Sequence, residues 1–284
     1  MSQGYQLSQS LLHHSGAART VDISEGRLLS GGIDKKVNLY TRSQDESHKY
    51  VHVGEFPFFT DYIMCVRILD KDRFAVACKD KNIYICSFSN FEKPLQVLSG
   101  HTGPVNSLDF RGNVLVSGSW DATAKIWNLE TGALVKTLEG HSHAVSVAIS
   151  SSNEIFTGSQ DGMLHLWTDA GVKTKSIKAH DNIIRCIVEL PGVGLLTCSN
   201  DQSSKLWSLD LDDLAVNNDH SSFVFALAAF PGEEINFVTG GEDFKILIYE
   251  GGKVVKEIPH PSTVWSIVID KNSQNDIVTA CGDG

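Results

Sequence analysis

An aspartate in a turn-like setting returns seven times along this chain, at Asp34, Asp80, Asp121, Asp161, Asp201, Asp243 and Asp283. The spacings are 46, 41, 40, 40, 42 and 40 residues. Around the central three the neighbouring residues repeat as well. LSGH-TGPVNSL leads to LVSGSWDATAKIW, LEGH-SHAVSVAI to IFTGSQDGMLHLW, and IKAH-DNIIRCIV to LLTCSNDQSSKLW. A unit of about 40 residues cannot bury both of its own faces and must stack on copies of itself. The length of 284 residues would otherwise suggest about two domains. The repeat predicts a single ring over residues 1–284 instead.

A Gly-His opening and an Asp-x5-Trp close at this period mark WD repeats. The predicted fold is therefore all-β, a seven-bladed β-propeller with four-stranded blades. In the third repeat the short Val-, Ile- and Leu-rich runs place strands over Val105–Phe110, Val114–Gly118, Thr123–Trp127 and Leu134–Leu138. No segment carries sustained helical periodicity. The second repeat is eroded: it keeps Asp80, lacks Gly-His, and has Cys86 where the others have Trp or Tyr. The first keeps His14, Ser30, Asp34 and Tyr40, followed by a polar loop over 42–49. Tyr5–Leu12 is expected to form an outer strand that joins the last blade and latches the ring. That last repeat shows strands over Val264–Ile269 and Ile277–Cys281 and the Asp283 turn, with no third strand after them. A truncated chain with exposed strand edges and a weak or rearranged closure is expected there.

Composition narrows the function. A net charge of −10 argues against nucleic acid, whose phosphates need a basic surface. The six cysteines form no C-x2-C pair and sit mostly in apolar runs, which predicts buried free thiols in a reducing compartment. No basic stretch followed by an apolar one opens the chain, and FVFALAAF is too short to span a bilayer. A soluble cytoplasmic protein is expected, without a membrane partner and with the nucleus left open.

Ser or Thr, His and Asp recur together in a way that resembles a hydrolase triad. Ser117, His101, Asp121 and Trp127 form one set; Thr157, His141, Asp161 and Trp167 a second; Thr197, His180, Asp201 and Trp207 a third; Thr239, His220, Asp243 and Tyr249 a fourth. Nucleophilic catalysis needs one such set aimed at an oxyanion site. One set per repeat is instead what a structural network requires, with imidazole bridging the turn carboxylate and the hydroxyl. No enzyme is predicted. His13-His14 and His141-x-His143 each commit one member to such a network, so no metal is expected, and the glycine pairs precede turns rather than helices, so no phosphate-binding cofactor is either.

Two columns of residues should crowd one rim. The position after the first inner-strand residue is Arg19, Met64, Asn106, Ser146, Arg185, Phe225 and Trp265 around the ring; the position before each turn aspartate is Ile33, Lys79, Trp120, Gln160, Asn200, Glu242 and Gly282. Exposed Trp, Phe and Arg are the residue types of interface hot spots. The candidate partner-binding set is Trp120, Trp265, Arg185, Phe225, Asn200, Glu242, Gln160 and Arg19. Trp265 and Phe225 would equally serve to plug the channel.

SGSWDATAKIW resembles the third blade of the PLAA family, the phospholipase-A2-activating proteins of ubiquitin pathways. The opening MSQGYQLSQSLLHH, the run Asp181–Arg185 with CSND at 198–201, and Pro-Ser-Thr-Val-Trp-Ser in the last repeat are similar to that family too. The resemblance covers the whole chain and implies a ubiquitin-binding propeller acting in ubiquitin-dependent degradation and ubiquitin homeostasis. It also implies an AAA unfoldase, valosin-containing protein, as a partner, but through C-terminal domains not present in these residues. Two departures stand out: small residues from Ser15 to Ala18 where the family tends to be polar or acidic, and the eroded second repeat. The alternative is a WD-repeat scaffold that docks another protein or a peptide at the channel mouth.

Overall fold

Every repeat places apolar residues on alternate strand positions between Gly-, Asn- and Asp-bearing turns, and each folds as an antiparallel meander. The computed structural model describes residues 7–44, 49–149, 152–232, 234–271, 273 and 275–283. Among them are six four-stranded sheets and one two-stranded sheet, all with strands in sequence order. The third sheet has strands Val105–Arg111, Val114–Ser119, Ala124–Asn128 and Leu134–Leu138, each within about a residue or two of the sequence reading. The seven inner strands are Ala18–Ser24, Ile63–Ile68, Val105–Arg111, Val145–Ile149, Ile184–Leu190, Val224–Ala229 and Val264–Asp270. Each lies beside the next, and the last lies beside both the sixth and the first.

The expectation of seven blades is corrected to six complete ones. Among the described residues the seventh repeat contributes the two antiparallel strands Val264–Asp270 and Asp276–Cys281. Tyr5–Leu12 is corrected as well. Residues 5 and 6 lie outside the described residues, and 7–12 form no strand. Instead, the Gln9 side chain donates to the Tyr50 carbonyl and accepts from the Tyr50 amide, both at the outer strand of the first blade. The Tyr50 hydroxyl in turn donates to Asp270 at 2.7 Å, which ties the first blade to the seventh sheet. Part of the 42–49 loop also lies outside the described residues.

The core sits between sheets rather than within them. Trp127, Leu115 and Val105 pack against Ala75 and Ile83; Val116 and Ile126 pack against Val145 and Trp167; Ala226 and Ile246 pack against Val264 and Ile267. Val21 and Tyr40 meet Ala280 and Val278 at the junction of first and seventh. A fully buried aliphatic or aromatic side chain stabilises by about 1.5–3 kcal/mol, so these seams hold the ring. Close sheet packing leaves no space at Gly118, where a Cβ would lie 2.2 Å from the Val145 carbonyl oxygen.

The eroded second blade replaces what it lost. Thr60, 20 residues before Asp80, stands where others have His and donates to Asp80 at 2.5 Å; Tyr84 donates to the same carboxylate at 2.6 Å. Cys86 is buried, and the volume of the missing indole is made up by phenylalanines: Phe56 stacks on Phe91 at 4.4 Å and meets Phe74 edge-on at 4.8 Å. All six cysteines are free, with Cys65, Cys78, Cys86 and Cys198 buried and Cys186 and Cys281 partly so.

Candidate partner-binding surface at the channel mouth

The turns that carry the rim are fixed from inside. In the third blade Trp127 Nε1 donates to Ser117 Oγ at 2.9 Å, and Ser117 Oγ lies 2.8 Å from His101 Nε2. His101 Nδ1 lies 2.8 Å from an Asp121 carboxylate oxygen, which also accepts the Thr102 amide at 2.9 Å. Geometry assigns the imidazole proton to Nδ1, so every donor points one way, from indole to hydroxyl to imidazole to carboxylate. Trp167, Thr157, His141 and Asp161 repeat the chain at 2.9, 2.8 and 3.2 Å, and Trp207, Thr197, His180 and Asp201 at 2.9, 2.7 and 2.8 Å. His220 bridges Thr239 and Asp243, and His14 bridges Ser30 and Asp34. In the seventh repeat His260 reaches Thr279 at 3.1 Å but bonds the Ser262 carbonyl instead of Asp283.

These hydroxyls cannot meet a substrate, because Ser117, Thr157, Thr197 and Thr239 are 0% exposed. The electrostatics fit a network at rest. Burial pushes the Asp121 carboxyl up, but hydrogen bonds from His101, Thr123 and the Thr102 amide outweigh it and hold the pKa well below the usual range. Burial also pushes the His180 imidazole down, towards the neutral form. In the first five blades a carboxylate oxygen of the turn Asp also caps the amide two residues on, as in Asp121 to Thr123 at 3.0 Å. That turn forces the intervening residue into the left-handed region. Lys35, Lys81, Ala122, Gly162, Gln202 and Phe244 all have φ between 60° and 79°, although only one is glycine.

The mouth itself is built by β-bulges. Six of the seven inner strands shift register at the residue that faces it: Arg19, Met64, Asn106, Arg185, Phe225 and Trp265. A bulge re-aims one side chain out of the strand alternation, here towards the axis. The fourth inner strand pairs without a bulge, and its Ser146 is only 7% exposed. All seven nonetheless line one cavity of about 150 Å³, together with Trp120, Gln160, Ala144, Ile183 and Ile184.

Within it, aromatic and cationic groups stack in a row. The Arg19 guanidinium lies 3.8 Å from the Trp265 ring centre, Trp265 stacks on Phe225 at 4.7 Å, and Arg185 lies 5.1 Å from Phe225. Trp120 is 50% exposed at the rim, its backbone amide bonded to the Pro104 carbonyl at 2.9 Å. Of the eight residues singled out in the sequence, six line the cavity: Trp120, Trp265, Arg185, Phe225, Gln160 and Arg19. Asn200 instead turns inward, 7% exposed, and accepts from Arg185 Nε at 2.7 Å. Glu242 stands exposed outside the cavity and accepts from the Ser222 hydroxyl at 2.8 Å. The sequence reading missed Phe223, edge-on to Phe225, and Phe244, which is 49% exposed. Phe244 was findable, since it directly follows a turn aspartate.

The model of the "WD domain, G-beta repeat" family matches residues 92–128 and 132–168. Among curated proteins, Protein DOA1 of Saccharomyces cerevisiae is 31% identical over 80% of this chain and 32% of its own length. Ubiquitin homeostasis protein lub1 of Schizosaccharomyces pombe is 30% identical over 99% of this chain and 39% of its own. The crystal structure of the WD40 beta propeller domain of Doa1 superposes with a TM-score of 0.88 at 28% identity, covering 99% of this chain and 94% of that one. The chain thus spans about a third of the length of the first of these curated relatives and about two-fifths of the second.

Proposed function

We propose that this chain, a PLAA-like WD-repeat propeller, is a non-catalytic adaptor module that docks ubiquitin on the rim around its channel mouth. The observation that carries the reading is Trp120: a half-exposed indole on a turn held by four hydrogen-bonded side chains, beside a cavity lined by Trp265, Phe225 and Arg185. Large aromatics on rigid supports bind with little loss of conformational freedom. Supporting it, a relative that aligns with nearly the whole chain is named for ubiquitin homeostasis, and the structural neighbour is a propeller of the same kind. The buried hydroxyls of the repeated networks fit a scaffold rather than a catalyst.

The adaptor acts in ubiquitin-dependent degradation in the cytoplasm, as a single docking unit. Contact with an AAA unfoldase is not assigned to these residues. The two-stranded sheet between the sixth and first blades supports its reading as the inner half of a seventh. Ubiquitin is small, so a modest interface with an affinity on the order of micromolar to high micromolar is expected. Calorimetric titration of ubiquitin tests it. Trp120→Ala should cost about 1–2 kcal/mol of binding with the melting curve unchanged; equal affinity in the two proteins would remove the rim from the interface.

A further inference from the structure

The chain carries a net charge of −10, yet the mouth of its channel gathers two arginines and no acid. Among the described residues, neither Arg19 nor Arg185 has a carboxylate within ion-pair distance. The Arg19 guanidinium lies over the Trp265 ring and the Arg185 guanidinium over the Phe225 ring, contacts that use no N–H donor of a group suited to bidentate anion binding. Only Arg185 spends one N–H within the protein, on Asn200. Two further polar atoms at the same mouth are buried without a hydrogen-bond partner: the Asn106 side-chain oxygen, an acceptor, and Trp265 Nε1, a donor. A buried polar atom left unpaired costs about 1–3 kcal/mol; of the five such side-chain atoms among the described residues, these two lie together at the mouth.

We propose that the channel mouth binds an extended acidic peptide segment, its anionic side chain held between Arg19 and Arg185. A backbone N–H of the segment bonds Asn106, and a backbone carbonyl accepts from Trp265 Nε1. The cavity of about 150 Å³ admits a side chain and its flanking backbone, not a folded domain. The acceptor at Asn106 argues against a bare inorganic anion, because it needs a donor from the ligand. The chain's net charge of −10 argues against nucleic acid. Burial depresses the pKa of both arginines; the charge of Arg185 depresses that of Arg19 further, while Glu242, outside the cavity, offsets part of the effect at Arg185, and an anion placed between the two arginines relieves their repulsion. The site lies deeper than the exposed rim, and the inference does not rest on the ubiquitin reading.

The test uses the full chain, immobilised, and capped nonapeptide pools with a fixed central Glu, phosphoserine or Gln and all flanking positions randomised. The Glu pool should be captured about tenfold over the Gln pool at low salt, with the preference shrinking as salt rises. Stronger capture of the phosphoserine pool than the Glu pool would support the site and assign phosphate as its preferred anion. In Arg19→Gln and Arg185→Gln, checked for folding by circular dichroism, the preference should fall to parity, while Arg185→Lys should keep part of it. Equal capture of Glu, phosphoserine and Gln pools by the wild-type chain would overturn the proposal without recourse to any variant. So would an acidic preference undiminished in both folded Gln variants, which would place the anion elsewhere on the surface. No ubiquitin is present, so failure here and failure of the ubiquitin reading are separately visible.

Discussion

Ser117→Ala removes one oxygen from the third blade and leaves two buried groups without a partner. Trp127 Nε1–H, 2.9 Å from that oxygen, loses its only acceptor, and His101 Nε2, 2.8 Å away, loses its donor. Trp127 is 1% and His101 7% exposed, so water does not readily replace the hydroxyl. At about 1–3 kcal/mol per orphaned group, with some relaxation into the vacated space, the loss should be about 2–4 kcal/mol. That is a large part of the 5–15 kcal/mol typical of a folded domain. Ser117→Thr is the matched control, because the fourth, fifth and sixth blades use Thr157, Thr197 and Thr239 at the same point. It should stay within about 1 kcal/mol of wild type. Urea unfolding followed by tryptophan fluorescence and circular dichroism reads both. A loss below about 0.5 kcal/mol for Ser117→Ala, or an equal loss for Ser117→Thr, would refute the view that the hydroxyl bridge holds the turn.

Three further outcomes follow from other parts of the ring. Burial, and then the His165 ring stacked 3.9 Å away, push the His141 imidazole down to about 4. The unfolded chain takes up that proton near pH 6.5 and the native one only near 4, so the stabilisation is complete above about 6.5 and is lost as pH falls through that window, by about 3 kcal/mol in all; a urea midpoint that stays flat from pH 7 to 4.5 would contradict it. Ala122→Gly relieves a left-handed residue at φ 65° and should raise stability by about 0.5–1 kcal/mol, read as a higher thermal midpoint, where a decrease would count against strain at the turn. Gly118→Ala drives a methyl group against the Val145 carbonyl and should cost about 3 kcal/mol, visible as poor soluble yield or a lowered urea midpoint; a neutral result would mean the third and fourth blades have room to part.

The blade networks were legible in the sequence because they are local and repeat: a histidine about 20 residues before an aspartate, a hydroxyl four before it and an aromatic six after. Strand limits in the third blade followed for the same reason. The bulges were not legible. An added residue in one strand leaves no compositional mark, so nothing distinguished Ser146, in a strand that pairs without one, from Asn106 or Arg185. The second blade resisted too, because its compensation is distributed: Tyr84 takes the Asp80 contact from two positions nearer the turn, and Phe91 comes from a loop. Asn200 sits in the rim column by spacing, yet its side chain is drawn inward by Arg185, a contact between strands that spacing alone does not specify. The N-terminal strand failed for a related reason, since 7–12 attach through Gln9 to Tyr50 rather than through a backbone ladder.

The measurement that bears most directly on the central claim is a heteronuclear NMR titration of isotope-labelled ubiquitin with the unlabelled chain. The account predicts shifts confined to one contiguous apolar face of ubiquitin, growing with added chain and abolished or strongly weakened by Trp120→Ala. Spectra that stay unchanged at high concentrations of well-folded chain would contradict it, and so would shifts of the same size and pattern with the Trp120→Ala protein.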